Sequence, residues 1–438
     1  METPNESETL VASAEALAKK RLESTEKPKE KKSHKKLVIT LLSVFVVLGA
    51  TASALFYFYF EGKTENVASF FRDTFGSQTV SPSGVPNEIL RPETPADSAS
   101  DSVNSGKTFS RLSGEPLENA EDDSAPTFCV QIPNGVDGAR PQVGLDSAKI
   151  VFEAIAEAGI TRFAAIFQNP PAVIGPIRSL RIYYLNWDTP FDCTIVHAGG
   201  ADDAISALRA GGYRELDENY SYMFRENNYN RLWNNLFTTG ESLRGYGISK
   251  GYLSSDIKSF PRKTPEETKT AKIDAQSVRK LKIDEPAEGN TSELSPKVSH
   301  VVLRFGSMPT FNPVFEYNAE SNSYRRSYET GVAHTVKSCS DATENPDACP
   351  DVQLSPSVVI AMLVQERRAA YDNYHEDISS IGAGDAYIFQ NGDAIKGTWE
   401  KSSASAQIIF RDSENNEISL NPGQTWISAV PAYGSVEY

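Results

Sequence analysis

The alternation of apolar and polar positions divides the chain into segments of distinct texture. Residues 37–60, "LVITLLSVFVVLGATASALFYFYF", make an uncharged run of 24. Rising 1.5 Å per residue as a helix, this run is long enough to cross a hydrocarbon layer of about 30 Å. Between 61 and 126, large apolar residues thin out among Ser, Pro, Asp and Glu. That composition buries too little surface to offset chain entropy and predicts a flexible acidic tether. Short apolar segments return over 127–260. "KIVFEAIAE" (149–157) and "TRFAAIF" (161–167) predict a β-hairpin turning at Ala158-Gly159, with Ile155 opposite Arg162. In that register Glu153, Ile155, Glu157 and Arg162 share one face. "RSLRIYYLNWDT" predicts a helix with Pro176 in its first turn, placing Arg178 and Arg181 on one side. "CTIVHAGG" reads as a strand ending in glycines, and "ADDAISALRA" as a helix with acids in its first turn and Gly211-Gly212 beyond its end.

Residues 261–296 are charged and polar and read as a linker. From 297 to 438 the pattern becomes that of short strands: "HVVLRF", "VFEYN", "SYRRSY", "PSVVIAMLV", "AYIFQNGDAIKGTWEK", "AQIIFRD" and "QTWISAV". The Asn-Gly in "QNGD" is a strong tight-hairpin signal. The expected architecture is therefore an α/β, mixed-sheet first domain (127–260) and a mostly β second domain (297–438), behind one N-terminal transmembrane helix.

Charge orients the apolar run. Six lysines fall between Lys27 and Lys36, just before it, and only Lys63 and Arg72 follow within fifteen residues. The positive-inside rule keeps residues 1–36 in the cytoplasm as a basic tail and puts the remainder outside, a single-pass anchor in the cell membrane. A cleaved signal peptide, ending near Ala54 in "GATASA", is the rival reading. The formal net charge of −15 and pI near 5.0 give no reason to expect nucleic acid as a partner. The first 128 residues hold no cysteine, so no lipid is attached through one there. Cys339 and Cys349 bracket a polar stretch that would close as a small disulfide loop. Cys129 and Cys193, in strand-like runs, either pair or stay buried thiols, and four free cysteines remain an alternative.

"ARPQVGLDSAKIVFEAIAEAGITRFAAIFQN", "IGPIRSLRIYY", "VHAGG" and "NNLFTT", followed by "GDAYIFQNGDAIKGTWEK" and "NEISLNPGQTWISAVP", occur in this order along the chain. In this the sequence resembles the YerB-like family of bacterial lipoproteins, over about 127–260 and 297–432. The resemblance implies an extracytoplasmic envelope protein of mixed α/β fold, and it specifies no reaction. The chain departs from the family pattern in three places. A membrane helix stands in for the lipid-modified cysteine, Asn234 replaces a histidine in "WNNLF", and the Cys339–Cys349 segment is an insertion.

Four arginines carry the strongest chemical suggestion. Arg140, Arg162, Arg178 and Arg181 would line a pocket for an anionic small molecule or envelope polymer, since guanidinium forks suit phosphate and carboxylate. Asn235 and Thr238 would add polar contacts. The competing reading is an internal ion network in which Glu153 and Glu157 neutralise the arginines. His197, at a strand end beside glycines, would act with Glu153 as the base of an envelope hydrolase or transferase, or would be a hydrogen-bonded structural residue. A purely structural or protein-interaction scaffold is the third alternative. Trp399 and Trp426 are expected in the core or at the seam between domains, a glycan platform being the other reading. The sequence has no Gly-x-Ser-x-Gly turn, Walker loop or dinucleotide fingerprint, and its Cys and His lack metal-ligand spacing, so neither a cofactor nor a metal is expected.

Overall fold

The computed structural model describes residues 108–226, 233–271, 298–369 and 374–438, all within one unit, Asp101–Tyr438. The basic tail, the 37–60 segment and all of the tether before residue 108 lie outside the described residues. Among the described residues no helix is long and apolar enough to cross a membrane.

The first segment forms strands β1 (Phe128–Pro133), β2 (Ile150–Glu157), β3 (Ile160–Phe167), β4 (Val173–Ile174), β5 (Thr194–Val196), β6 (Glu215–Leu216), β7 (Met223–Arg225) and β8 (Leu236–Thr239). Its helices are α1 (Ile182–Asp188), α2 (Asp202–Ala210) and α3 (Gly240–Lys250). The second segment is mostly β. It begins with β9 (His300–Arg304), β10 (Pro313–Asn318), β11 (Ser323–Tyr328), β12 (Thr335–Lys337) and β13 (Asp351–Gln353). There follow β14 (Val358–Val364), β15 (Glu366–Arg368), β16 (Glu376–Ile378), β17 (Gly382–Gln390), β18 (Asp393–Lys401), β19 (Ile409–Asp412), β20 (Thr425–Pro431) and β21 (Ser435–Glu437).

Ten of these strands form one mixed sheet, in the order β19-β18-β17-β14-β20-β2-β3-β1-β5-β6. The two sequence segments join where β2 runs parallel to β20, from Ile150 opposite Thr425 to Glu153 opposite Ser428. Strands covered on both faces read as unbroken apolar runs, which is the texture of "KIVFEAIAE" and "PSVVIAMLV". Their period of two still sorts the side chains. Ile150, Phe152, Ala164, Ile166, Ile360 and Ile427 pack with Tyr183, Tyr184 and Trp187 of α1 and Leu208 of α2. On the opposite face Val151, Phe163, Phe167, Val359 and Trp426 pack against Leu243 of α3 and a four-stranded sheet, β11-β10-β9-β21.

Local rules hold at the turns. Ala158 (φ 50°) and Gly159 (φ 77°) turn β2 into β3, and Asn391 and Gly392 (φ 59° and 69°) turn β17 into β18, both pairs with the positive φ of a two-residue hairpin. The expected register of β2 with β3 needs correction. Ala154, not Ile155, faces Arg162, and the pairing shifts between Ile155 and Glu157. One extra residue at this bulge moves Glu157 to the face of Arg162 and leaves Glu153 on the other.

The helix expected from "RSLRIYYLNWDT" also starts later. Gly175-Pro176 is a cis peptide, and α1 begins only at Ile182. The intervening backbone is committed elsewhere: the N–H groups of Ile177, Arg178 and Leu180 donate to Leu236, Gln131 and Gly199 carbonyls. This extended stretch bridges the ends of β1 and β5, so Arg178 and Arg181 share no helical face. Two disulfides, Cys129–Cys193 and Cys339–Cys349, account for all four cysteines.

Candidate functional site

The register shift creates the first charge cluster, on the helix-covered face. Glu157 accepts from Arg162 Nη2 at 2.8 Å and from Arg181 Nη2 at 2.5 Å. Arg162 Nη1 donates to the Ser179 carbonyl and Arg181 Nη1 to that of Leu180. Both arginines are buried, at 4% and 5% exposure. Burial pushes the Glu157 carboxyl up, but the charges of Arg162 and Arg181 together outweigh it and hold the group below the usual range. Burial, followed by the neighbouring Arg181 charge, lowers Arg162 to about 10.

The second cluster fills the other face and ties the two segments together. Glu153, fully buried, accepts from Arg326 Nη2 at 2.9 and 3.0 Å, from Trp426 Nε1 at 2.8 Å and from Thr161 Oγ1 at 3.0 Å. Arg326 also donates to His334 Nδ1, while His334 Nε2 lies 2.9 Å from Gln142 Oε1. These partners require a neutral imidazole protonated on Nε2. Burial, with the Arg326 and Arg140 charges, correspondingly holds His334 well below the ordinary histidine range. Asn134 Oδ1 then accepts from Arg140 Nε (2.9 Å), Tyr328 OH (2.9 Å) and Gln142 Nε2 (3.2 Å). Arg140 stacks on Tyr328, 3.8 Å from the ring centroid, and donates to the Thr310 carbonyl.

The arginines proposed as one anion pocket are thus divided. Arg162 and Arg181 neutralise Glu157, Arg140 sits in the Asn134 cluster, and Arg178 stands apart. Arg178 is half-buried beside the ends of β1 and β5, and its guanidinium makes no hydrogen bond or ion pair among the described residues. Asn235 and Thr238 serve their own hairpin: Asn235 Oδ1 accepts from Arg225 (2.7 Å), and Thr238 Oγ1 donates to the Tyr222 carbonyl (2.7 Å).

His197 and Glu153, proposed as partners, are not brought together. His197 is fully buried, its Nδ1 2.9 Å from the Gly199 carbonyl and its Nε2 3.4 Å from Glu215. It follows β5, three strands from β2 in the sheet, a separation of about 14 Å at the usual strand spacing. Trp399 and Trp426 are core residues, their ring N–H groups donating to the Leu363 carbonyl and to Glu153. No group of three or more His, Cys, Asp or Glu among the described residues is arranged to hold a metal. Clefts of about 770, 540, 510 and 380 Å³ are lined by side chains other than these candidates.

Sequence reasoning missed Arg326, the partner that Glu153 needs. One signal was present: in "SYRRSY", Tyr324, Arg326 and Tyr328 alternate, so an aromatic-flanked face carries the arginine inward while Arg325 points out.

Two family models match the chain: "Protein of unknown function (DUF3048) N-terminal domain" over 112–253 and the corresponding C-terminal domain over 301–427. The chain is 28% identical over 301 residues to "Putative lipoprotein YerB" of Bacillus subtilis (strain 168), covering 67% of this chain and 78% of that protein. The crystal structure of YerB from Bacillus subtilis aligns with a TM-score of 0.58 at 22% identity, over 76% of this chain and all of the other, a likeness of fold.

Proposed function

We propose, from the premise that the chain belongs to the DUF3048 family and is a homologue of YerB, that it is a membrane-anchored, extracytoplasmic envelope protein whose folded region takes an anionic group at Arg178. The 37–60 run supplies the anchor in this reading. Two disulfides suit a compartment outside the cytoplasm. The observation that carries the binding role is the unpaired state of Arg178. Arg162, Arg181 and Arg326 each face an internal carboxylate, whereas this half-buried guanidinium has none among the described residues. A guanidinium so placed keeps its donors for a phosphate or carboxylate from outside.

The test is co-sedimentation of the full chain, in detergent, with isolated anionic cell-wall polymer. Arg178→Ala should weaken retention about tenfold with the melting temperature preserved. Arg367→Ala, which removes an equal charge from an 82% exposed side chain, should leave it unchanged. Equal retention by both variants would refute the assignment.

A second reading, an envelope scaffold, draws support from the internal pairing of Arg162 and Arg181, which makes them structural. A hydrolase using His197 and Glu153 draws none, because the two are about 14 Å apart and both fully buried.

A further inference from the structure

A cleft of about 510 Å³ opens between the β2–β3 turn, the loop after β9 and the two-stranded ribbon of β15 and β16. On the ribbon, Glu366 pairs with Ile378 and Arg368 with Glu376, which puts the two glutamates diagonally on one face. Both side chains line the cleft. Tyr433 OH donates to Glu366 Oε2. Glu376 is 94% buried by residue area, and its Oε2 has no donor partner among the described residues. Once ionised, a carboxylate oxygen in that position needs a donor, and no described residue supplies one. The rest of the wall combines an apolar strip of Ile155, Phe305 and Met308 with the polar side chains of Ser307, Asn312 and Arg368.

We propose that this cleft binds an alkylammonium group of the lysine type, its head between Glu366 and Glu376 and its methylene stem along Ile155, Phe305 and Met308. An ammonium has three N–H donors and no acceptor, which matches two carboxylates and the Tyr433 oxygen. A calcium ion needs six to eight oxygens, and no third Asp, Glu, His or Cys joins this pair in metal-binding position among the described residues. This proposal is separate from the role given to Arg178.

The site is pH-gated. Burial first, then the Glu366 carboxylate, raise Glu376 to about 7. Facing Glu376 are Arg368 across the ribbon, Tyr433 from the turn after β20, Tyr183 of α1 and the Ala158 N–H of the hairpin turn. With the guest absent, the Glu376 carboxyl holds a proton below about pH 7. The ammonium must displace that proton, so affinity rises with pH while a lysine-type amine, with a pKa of about 10.4, stays charged.

The experiment is calorimetric titration of the full chain in detergent with Nα-acetyl-lysine methylamide at pH 6.0 and 8.5. Acetyl-norleucine methylamide, which lacks the ammonium, and calcium chloride are run in parallel. Expected are binding of the lysine derivative at least tenfold tighter at pH 8.5 and no heat from the norleucine analogue. Glu376→Gln and, separately, Glu366→Gln should each weaken binding at least tenfold, while Arg325→Ala, at an exposed position of β11 outside the cleft, should not change it. Absence of heat at pH 8.5, equal binding of both amides, response to calcium alone, or wild-type affinity in folded Glu376→Gln and Glu366→Gln would each overturn the proposal.

Discussion

Replacing Arg326 with methionine removes the only guanidinium bonded to Glu153 among the described residues while keeping an unbranched side chain in its place. Both side chains are wholly buried, and the pair is held by two hydrogen bonds of 2.9 and 3.0 Å. Water cannot enter to solvate the abandoned carboxylate, which keeps only the Trp426 and Thr161 donors. Breaking one side of such a buried pair costs about 3–5 kcal/mol. Glu153→Gln strands the opposite charge and should cost a comparable amount. The double variant leaves no unpaired charge and should cost less than either single change, a coupling of about 2 kcal/mol or more. The assay is urea unfolding of the purified full chain in detergent. Intrinsic fluorescence, to which all four tryptophans including Trp426 contribute, reports on tertiary packing and far-UV circular dichroism on the sheet, and coincident curves would license the free energies. A pH series adds a second reading. His334 stays neutral in the folded state, so stability falls as pH drops below about 6.5, where the unfolded imidazole takes up a proton that the folded one refuses. Removing Arg326, one of the charges opposing that proton, should flatten this slope. Single variants within about 1 kcal/mol of wild type, or strict additivity in the double, would refute the idea that this pair fastens the two segments.

Two further outcomes follow from the same structure. Glu157→Gln leaves Arg162 and Arg181 facing each other without their shared counter-charge, and should lower stability by about 3 kcal/mol. Because the Glu157 carboxyl is depressed, its contribution is present above about pH 4.5 and lost as pH falls below that; thermal melts from pH 7 to 3 should converge for wild type and variant, and parallel curves would contradict the assignment. The Cys129–Cys193 link closes 64 residues and the Cys339–Cys349 link 10, so loop-closure entropy amounts to about 4 and about 3 kcal/mol. Paired serine substitutions followed by chemical unfolding should show the larger loss for the first pair, and the reverse order would rule out loop closure as the main source of the stabilisation.

What the sequence determined by itself was everything governed by short-range rules. Apolar periodicity marked β2, β3, β14 and β20, positive-φ residues at Ala158-Gly159 and Asn391-Gly392 fixed two hairpin turns, and the acid-led helix of α2 ended at its glycines. Thr239 likewise caps α3, accepting from the Ser242 N–H. These features depend on residues within a few positions of one another, where steric and hydrogen-bonding preferences act directly. The tertiary structure decided the rest. A single bulged residue chose which glutamate meets Arg162, an event that periodicity cannot register because one inserted residue inverts every face after it. Committed backbone donors kept residues 177–180 extended despite a helical pattern. The partner of Glu153 lies 173 residues away, at Arg326, brought there by the β2–β20 pairing and the sheet packed over it. A buried charge must be matched by whatever the fold delivers to its side, and only three-dimensional packing determines which residue that is.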